Sequence, residues 1–311
     1  MKITILGSGT SIGVPMPTCT CEVCRSQDPL DNRLRCSALV ETDEGKQILI
    51  DCGPDFRQQA LRADIRQLDA LLLTHNHFDH CYGLDDLRPW AYHQPLPTYA
   101  DALMSEALRS RWDYIFVHRY PGTPQLALSI LEPDVNPKAA LQYLRVENKA
   151  DIEAAYKGYH AQTRQLMPIY SQPIEGTGGQ STAFRVGETP CDAIRCFHGA
   201  MPMLGYRIGR LAYITDCTLI VEAEYAKLHD IDTLIIDALR WEPHPTHYSV
   251  EQAMEVVTRL QPRQTFFTHM SHDIGLHRDF EAHLHKDFDG KYPAPLLATV
   301  HLAYDGQQIT L

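Results

Sequence analysis

The sequence predicts an α/β fold (α+β in the wider sense) in which two β-rich halves with added helices flank a central helical insertion. Short apolar runs separated by glycine-rich turns fill the first third of the 311-residue chain. The same pattern returns in the final third, whereas the middle is richer in helix-forming residues. With 44% hydrophobic residues the chain can bury a large core, so we expect a single domain over residues 1–311.

The predicted elements follow in a simple order. The first third contains strands at 3–6, 37–40, 48–50 and 70–73 and a helix at 55–63. The final third contains strands at 211–214, 233–236, 265–268 and 297–302 and helices at 220–228 and 250–260. Ser249 followed by Gln252 predicts a capping box at the start of the last helix.

The middle of the chain, from about residue 103 to residue 181, is predicted to be an insertion within this domain. It contains helical segments at 139–144 and 151–167, followed by a polar glycine-rich stretch at 175–180. One role for it is a surface excursion or a homodimer contact. The other is a lid over the active site, favoured by the glycine stretch as a hinge and by aromatic residues at Trp112, Tyr114, Phe116 and Tyr120.

Composition excludes several functions. The formal net charge is -11, and no block of Lys or Arg provides the basic surface that duplex nucleic acid requires, so we expect no nonspecific nucleic-acid binding. The N-terminus reaches Gly7 after too few apolar residues for a signal peptide, and no apolar run has membrane-spanning length. We therefore expect a cytoplasmic protein without membrane contact.

The clearest motif is His75-x-His77-x-Asp79-His80, which directly follows an apolar strand. On an irregular loop, His75 and His77 can turn their imidazoles toward one metal while Asp79 and His80 reach a second one a few ångströms away. A buried strand that ends in this loop is typical of one half of a two-metal hydrolytic site. One such motif cannot complete two coordination shells.

Further candidate ligands lie at the ends of later strands. His198, Asp216 and His269 each come directly after a predicted β-run, where loops project from a rigid sheet. Taken singly, each is more readily explained as a hydrogen-bonded or solvated residue than as a metal ligand. Their order after the first motif is what indicates a shared site.

A second cluster is formed by Cys19, Cys21 and Cys24, which we call the cysteine hook. Three thiolates leave a tetrahedral zinc one ligand short, and His272, three residues after His269, can supply it. The alternative is three reduced cysteines in a flexible loop. The other cysteines are scattered in apolar surroundings and are expected to be small buried residues.

Together, the His-x-His-x-Asp-His motif and the later His, Asp and His resemble the metallo-β-lactamase superfamily. The resemblance implies a four-layer αβ/βα sandwich with two divalent metal ions, Zn²⁺ or Mn²⁺, between the edges of its sheets. It further implies how the ligands divide. One metal would take His75, His77 and His198, the other Asp79, His80 and His269, and Asp216 would bridge them.

Within that superfamily the chain is similar to the cyclic phosphodiesterases of the carbon-phosphorus lyase pathway (PhnP-like). The matching features are the cysteine hook, the segments 7–10, 74–80, 204–206 and 268–272, and Thr215-Asp216. The central insertion departs from that family, which leaves the substrate open. The resemblance places His247 where the family has an active-site histidine that is not a ligand. The alternative for His247 is a surface loop histidine held between prolines.

The expected activity is hydrolysis of a small phosphodiester, such as a cyclic ribose phosphate, by a metal-bridging hydroxide. Asp79 would accept a hydrogen bond from that hydroxide, and His247 would assist the leaving group. A thioester or lactone hydrolase would use the same metal site. A nuclease is disfavoured by the acidic balance, and a metal-binding protein without catalysis by the complete ligand set.

Overall fold

The computed structural model describes residues 1–116, 122–131 and 182–311, which form two β-sheets covered by helices. The first sheet has the order β15-β1-β2-β3-β4-β5-β6. Its strands β1 to β3 and β15 pair antiparallel, and β3 to β6 pair parallel. They are β1 (Lys2–Gly7), β2 (Ser37–Glu41), β3 (Gln47–Ile50), β4 (Ala70–Leu72), β5 (Leu96–Ala100), β6 (Leu126–Ile130) and β15 (Gln308–Thr310).

The second sheet has the order β11-β8-β9-β10-β12-β13-β14, with β7 paired to β8. Antiparallel hairpins form one side of it, and β10, β12, β13 and β14 run parallel on the other. The strands are β7 (Ala183–Val186), β8 (Thr189–His198), β9 (Met201–Ile208), β10 (Leu211–Ile214), β11 (Leu219–Ile220), β12 (Thr233–Asp237), β13 (Gln264–Thr268) and β14 (Val300–Leu302).

Helices lie on the outer face of each sheet. The α-helices are α1 (Phe56–Arg62), α2 (Phe78–Cys81), α3 (Arg88–Ala91), α4 (Ala102–Arg111), α5 (Asp113–Phe116), α6 (Val250–Leu260), α7 (Phe280–Phe288) and α8 (Ala294–Leu297). Short 3₁₀ turns occupy Val23–Arg25, Pro29–Asp31, Leu84–Leu87, Glu222–Leu228, His272–Ile274 and His277–Asp279. Among the described helices, none combines the length and the apolar character needed to cross a membrane.

Strand alternation explains the four layers. Ile48 and Ile50 of β3 are buried between the two sheets, whereas Leu49 between them faces the outer layer with Phe56 of α1. In the second sheet Ile235 faces inward, while its neighbours pack against α6 and α7. Because successive side chains of a strand point to opposite faces, both sheets are covered on both faces. The predicted αβ/βα sandwich is confirmed.

Most predicted elements are present, and two were wrong in part. The capping box of α6 is complete, since Ser249 Oγ accepts from the Gln252 amide and Gln252 Oε1 accepts from the Ser249 amide. Within the predicted helix at 220–228, Ile220 instead ends β11, which pairs with the edge of β8, and Glu222–Leu228 forms a 3₁₀ helix. The predicted strand at 297–302 begins only at Val300, since a proline-initiated turn of helix precedes it.

The first part of the predicted insertion belongs to the two-sheet fold itself. Helix α4 and strand β6 belong to the first sheet and its helical layer, although both fall inside 103–181. Trp112 is buried in that layer, and the Tyr114 hydroxyl donates to Asp85 at 3.1 Å, so neither residue forms part of a lid. The segments at 139–144, 151–167 and 175–180, with Tyr120, lie outside the described residues. For residues 132–181 the insertion stays a prediction.

Candidate metal centre

The predicted metal-binding motif starts just beyond strand β4 and ends in the short helix α2. His77 is the last extended residue before the helix, and Asp79 and His80 lie in its first turn. His75, Asp79 and His80 are buried, and His77 is partly buried. The change from strand to helix within this motif is what turns all of these side chains toward one point.

Asp216 lies at the centre of the donor group. Its Oδ2 is 3.3 Å from His75 Nε2 and 3.1 Å from His80 Nε2, and its Oδ1 is 2.8 Å from His269 Nε2. Asp79 Oδ2 completes one side of the group, 3.1 Å from His80 Nε2. The two oxygens of Asp216 therefore face different histidines.

His77 and His198 lie on the side of His75. The His75 and His77 rings are 4.6 Å apart and the His77 and His198 rings 5.0 Å apart. His198 Nδ1 donates to the main-chain oxygen of Asp216 at 2.9 Å, which leaves Nε2 as its ligand atom. All the predicted ligands are thus brought together. We call this group the Asp216 cluster: His75, His77, Asp79, His80, His198, Asp216 and His269.

Backbone conformations at the cluster are unusual. Asp51, Asp216 and His269 adopt the left-handed region with φ of 58°, 48° and 55°. Non-glycine residues rarely adopt this conformation, and such strain concentrates at functional sites. Each of these residues directly follows or closely follows a strand, so the strained turn is what redirects its side chain away from the sheet.

Asp51 is a site residue that the sequence analysis missed. Its Oδ2 is 2.6 Å from His80 Nδ1 and accepts from the Thr74 hydroxyl at 2.8 Å, and its Oδ1 accepts from the Thr74 amide. The Thr74 hydroxyl in turn lies 3.0 Å from His75 Nδ1. Asp51 therefore orients two histidines and leaves both Nε2 atoms pointing into the cluster. Asp51 directly follows β3, and a position just after a strand is the same feature that identified Asp216 as a candidate.

Asp237, at the end of β12, was missed as well, and it holds the histidine predicted to act without binding metal. Its Oδ2 is 3.1 Å from His247 Nδ1 and accepts from the amides of Cys217 and Tyr248. The His247 ring stacks on His269 with centroids 4.9 Å apart and lies 4.7 Å from the His198 ring. The structure thus places His247 beside the Asp216 cluster with Nε2 available.

Burial and neighbouring charges both shift the pKa values of the residues in the cluster. Burial alone would raise the pKa of Asp216, but His269 and His80 hold it well below its usual range. Burial would lower the pKa of His80, but Asp216 and Asp79 raise it well above normal. Burial lowers the pKa of His198 to about 3, which keeps that ring neutral at ordinary pH.

The donor set fits divalent cations. In the described part of the chain, His75 Nε2, His80 Nε2 and His269 Nδ1 are buried without a hydrogen-bond partner. Buried polar atoms without a partner cost free energy, and a bound cation removes that cost at each Nε2. Imidazole nitrogens with carboxylate oxygens are the donors that Zn²⁺ and Mn²⁺ take.

The cysteine hook also converges. His272 Nδ1 lies 3.3 Å from Cys19 Sγ, 3.3 Å from Cys21 Sγ and 3.6 Å from Cys24 Sγ. A tetrahedral zinc with its usual bond lengths separates a sulfur from a nitrogen ligand by about 3.5 Å. Burial opposes ionisation of Cys21, but the Cys24 amide and His272 lower its pKa to about 6. The geometry fits a Cys₃His zinc site.

One loop serves both groups. It leaves β13 at Thr268, places His269 in the Asp216 cluster and reaches His272 of the hook. Its Met270 amide donates to the Ser8 carbonyl at 3.0 Å, and Arg33 Nη1 donates to the Ser271 carbonyl at 3.0 Å. Arg33 is almost fully buried, so the loop is fixed from below by a polar side chain.

Comparison with known proteins agrees with this geometry. A family model described as a beta-lactamase superfamily domain matches residues 46–151 and 158–270. The chain belongs to the beta-lactamase superfamily. A crystal structure of a diphosphatase from the PhnP family superposes with a TM-score of 0.72 at 31% identity, covering 100% of this chain and 97% of that one. The PhnP-like resemblance is confirmed with it.

Two curated relatives carry the names of two different kinds of enzyme. An octanoyltransferase of Porphyromonas gingivalis is 38% identical over 296 residues, which are 93% of this chain and 51% of that protein. A ribonuclease Z of Bradyrhizobium diazoefficiens is 35% identical over 96 residues, which are 30% of this chain and 27% of that protein. The chain thus spans about half or less of the length of these relatives.

Proposed function

We propose that the protein is a dinuclear metal-dependent hydrolase that cleaves a small phosphodiester. The observation that supports it most is the Asp216 cluster, in which buried Nε2 atoms converge on a carboxylate whose two oxygens face different histidines. His247, fixed by Asp237, adds an acid beside that cluster. Two-metal sites of this composition suit in-line displacement at phosphorus.

The ligands divide naturally around Asp216. His75, His77 and His198 lie on its one side, and we assign them to the first metal. Asp79, His80 and His269 would hold the second metal, and the Asp216 carboxylate would contribute to both. We assign the hook residues to a structural zinc: Cys19, Cys21, Cys24 and His272.

Two bound cations would supply a water of lowered pKa and offset the charge on the phosphoryl oxygens. The chain's own residues do the rest. Asp79 accepts a hydrogen bond from the attacking water and thereby orients it. His247 donates its Nε2 proton to the departing alkoxide, and Asp237 stabilises the ring while it is charged.

A small substrate, such as a cyclic ribose phosphate, fits the chain better than RNA. The net charge of -11 repels a polyanion, which works against binding of long nucleic acid. The similarity to a diphosphatase of the PhnP family supports hydrolysis at phosphorus. We also propose a cytoplasmic location and a homodimeric state.

The second candidate is a thioester or lactone hydrolase, which would use the same dinuclear metal site. The octanoyltransferase of Porphyromonas gingivalis is named for moving an acyl group, and its match covers 93% of this chain and 51% of that protein. Two cations held by the same donors would also supply a water able to attack an acyl carbon. The substrate's chemistry therefore separates the two candidates.

Turnover of bis(p-nitrophenyl) phosphate tests the proposal, with protein loaded with Mn²⁺ or with Zn²⁺ and Asp216→Ala as the blank. We expect metal-dependent release of p-nitrophenolate that is absent from the blank. An octanoyl thioester assayed in parallel tests the second candidate. Cleavage of the thioester alone, by protein that holds two catalytic ions, would overturn the phosphodiesterase proposal.

A further inference from the structure

Two aromatic rings lie exposed at the edge of the metal centre. Phe78 is 52% exposed and Tyr82 is 43% exposed, and their ring centroids are 4.4 Å apart. Phe78 stands between His77 and Asp79 in the sequence, so its Cα is about 3.8 Å from those of two predicted ligands. The pair, which we call the aromatic ledge, therefore adjoins the Asp216 cluster along the chain.

The ledge is held in a fixed orientation. Phe78 and Tyr82 are four residues apart on one turn of helix, and the Tyr82 amide donates to the Phe78 carbonyl at 3.1 Å. The Tyr82 ring meets the buried Trp112 ring edge-on, with centroids 4.9 Å apart. Below the helix, the Gly83 amide donates to the Cys52 carbonyl at 2.8 Å. Turning either ring away would break the contact between them, and turning Tyr82 would also break its contact with Trp112.

Exposed aromatic surface in such a place needs an occupant. Burying an aromatic ring is favourable, and a single exposed one requires no explanation. Here the two rings are in contact at a 40° tilt, the Tyr82 ring also meets Trp112, and Phe78 directly adjoins two of the donors in sequence. A flat apolar group attached to a bound phosphate would cover them.

We propose that Phe78 and Tyr82 form a substrate-binding ledge that stacks the flat aromatic ring of a phosphate ester whose phosphoryl group lies at the Asp216 cluster. This rests on the proposed function and specifies its substrate class. The ledge determines specificity and takes no part in bond breaking. Its substitution therefore weakens binding of ring-bearing esters and leaves the metal content unchanged.

Calorimetric binding of phenyl phosphate and methyl phosphate to the metal-loaded protein tests the ledge without requiring turnover. Each ester has one organic group, so the ratio of the two Kd values isolates the contribution of the ring. We expect phenyl phosphate to bind about tenfold more tightly, as stacking of a ring on an aromatic side chain provides. In Phe78→Ala and Tyr82→Ala the ratio should fall to about two or below.

Matched variants separate stacking from general apolar contact and from damage to the fold. Phe78→Leu keeps an apolar side chain without a ring face and should lose most of the preference, while Tyr82→Phe should retain it. Tyr92→Ala removes another exposed ring, outside the ledge, and should leave the ratio unchanged. Metal analysis and thermal unfolding of each variant identify any that fail to fold.

Two results would overturn the ledge: equal affinity of the wild-type protein for the two esters, or an undiminished preference in a folded Phe78→Ala. These outcomes are distinguishable from failure of the proposed function. A tenfold preference without turnover of any phosphodiester supports the ledge and removes the activity. Turnover with no preference for the ring supports the activity and removes the ledge.

Discussion

The Asp216 cluster lies beneath the surface at the ends of strands, whereas the cysteine hook is partly exposed and takes three of its donors from residues 19–24. Carboxylates at the ends of further strands orient His80 of the cluster and His247 beside it. The hook relies on its own tight turn, in which the Cys24 amide donates to Cys21 Sγ. A buried centre thus depends on the whole fold, while a surface centre depends mainly on local sequence.

The sharpest way to separate the two regions is Asp216→Ala. Without the central carboxylate both catalytic metals should be lost, and kcat/KM should fall by more than about 10³-fold because the activated water goes with them. The hook should keep its zinc. Elemental analysis and turnover of bis(p-nitrophenyl) phosphate measure both effects, with the exposed Asp289→Ala as a control. Loss of the hook zinc as well would contradict the independence of the two regions.

His247→Ala tests whether a histidine of the same buried region acts without binding metal. Both catalytic metals should remain, and kcat should fall about 10²–10⁴-fold, the usual contribution of a general acid. The neighbouring His244→Ala should change kcat by no more than about threefold, because it lacks the Asp237 contact. Full turnover by a metal-loaded His247→Ala protein would rule out the proposed role.

Asp51→Asn probes the support beneath the ligands. It keeps the side-chain volume but removes the charge that orients His80, so metal affinity should fall about 10–100-fold. Competition with a chelator measures this, and Asp55→Asn, whose carboxylate faces Arg35, is the matched control. Unchanged affinity would mean that the cluster orients its own histidines.

The smallest effect on catalysis is expected from the hook. Cys21→Ser should lose the structural zinc and lower the free energy of unfolding by about 2–4 kcal/mol, seen as a fall in Tm of about 5–10 °C. Turnover at low temperature should fall less than about tenfold, because other contacts still fix the loop at Ser8 and Arg33. Cys191→Ala, a buried cysteine elsewhere, should keep the zinc. A collapse of kcat in the folded Cys21→Ser protein would show that the hook positions His269.

The two regions also differ in how far the sequence could predict them. The hook and the His75 motif are visible because their donors are close in sequence. His198, Asp216 and His269 were found because each follows a recognisable strand. Asp51 and Asp237 follow strands too, but neither lies in a motif, and only the folded chain shows which histidine each one meets.

Errors in the fold have a similar origin. Residues 220–228 have a helical composition, yet pairing of Leu219 and Ile220 with the edge of β8 overrides it. The predicted insertion starts at about residue 103, whereas helix α4 packs on the outer face of the first sheet and β6 is the edge strand of that sheet. Contacts between distant segments decided both cases, and composition does not contain them.

Gly53 has a consequence for how this protein can vary in evolution. A Cβ atom at Gly53 would lie 1.9 Å from the Asp79 carbonyl oxygen, and one at Gly83 would lie 2.1 Å from the Gly53 carbonyl oxygen. Neither residue is one of the proposed ligands, yet any side chain at either position would push the turn after Asp51 away from helix α2. Homologues that keep the ligands must therefore also keep these two glycines. A substitution at either position would disable the metal centre even though every ligand residue was unchanged in the sequence.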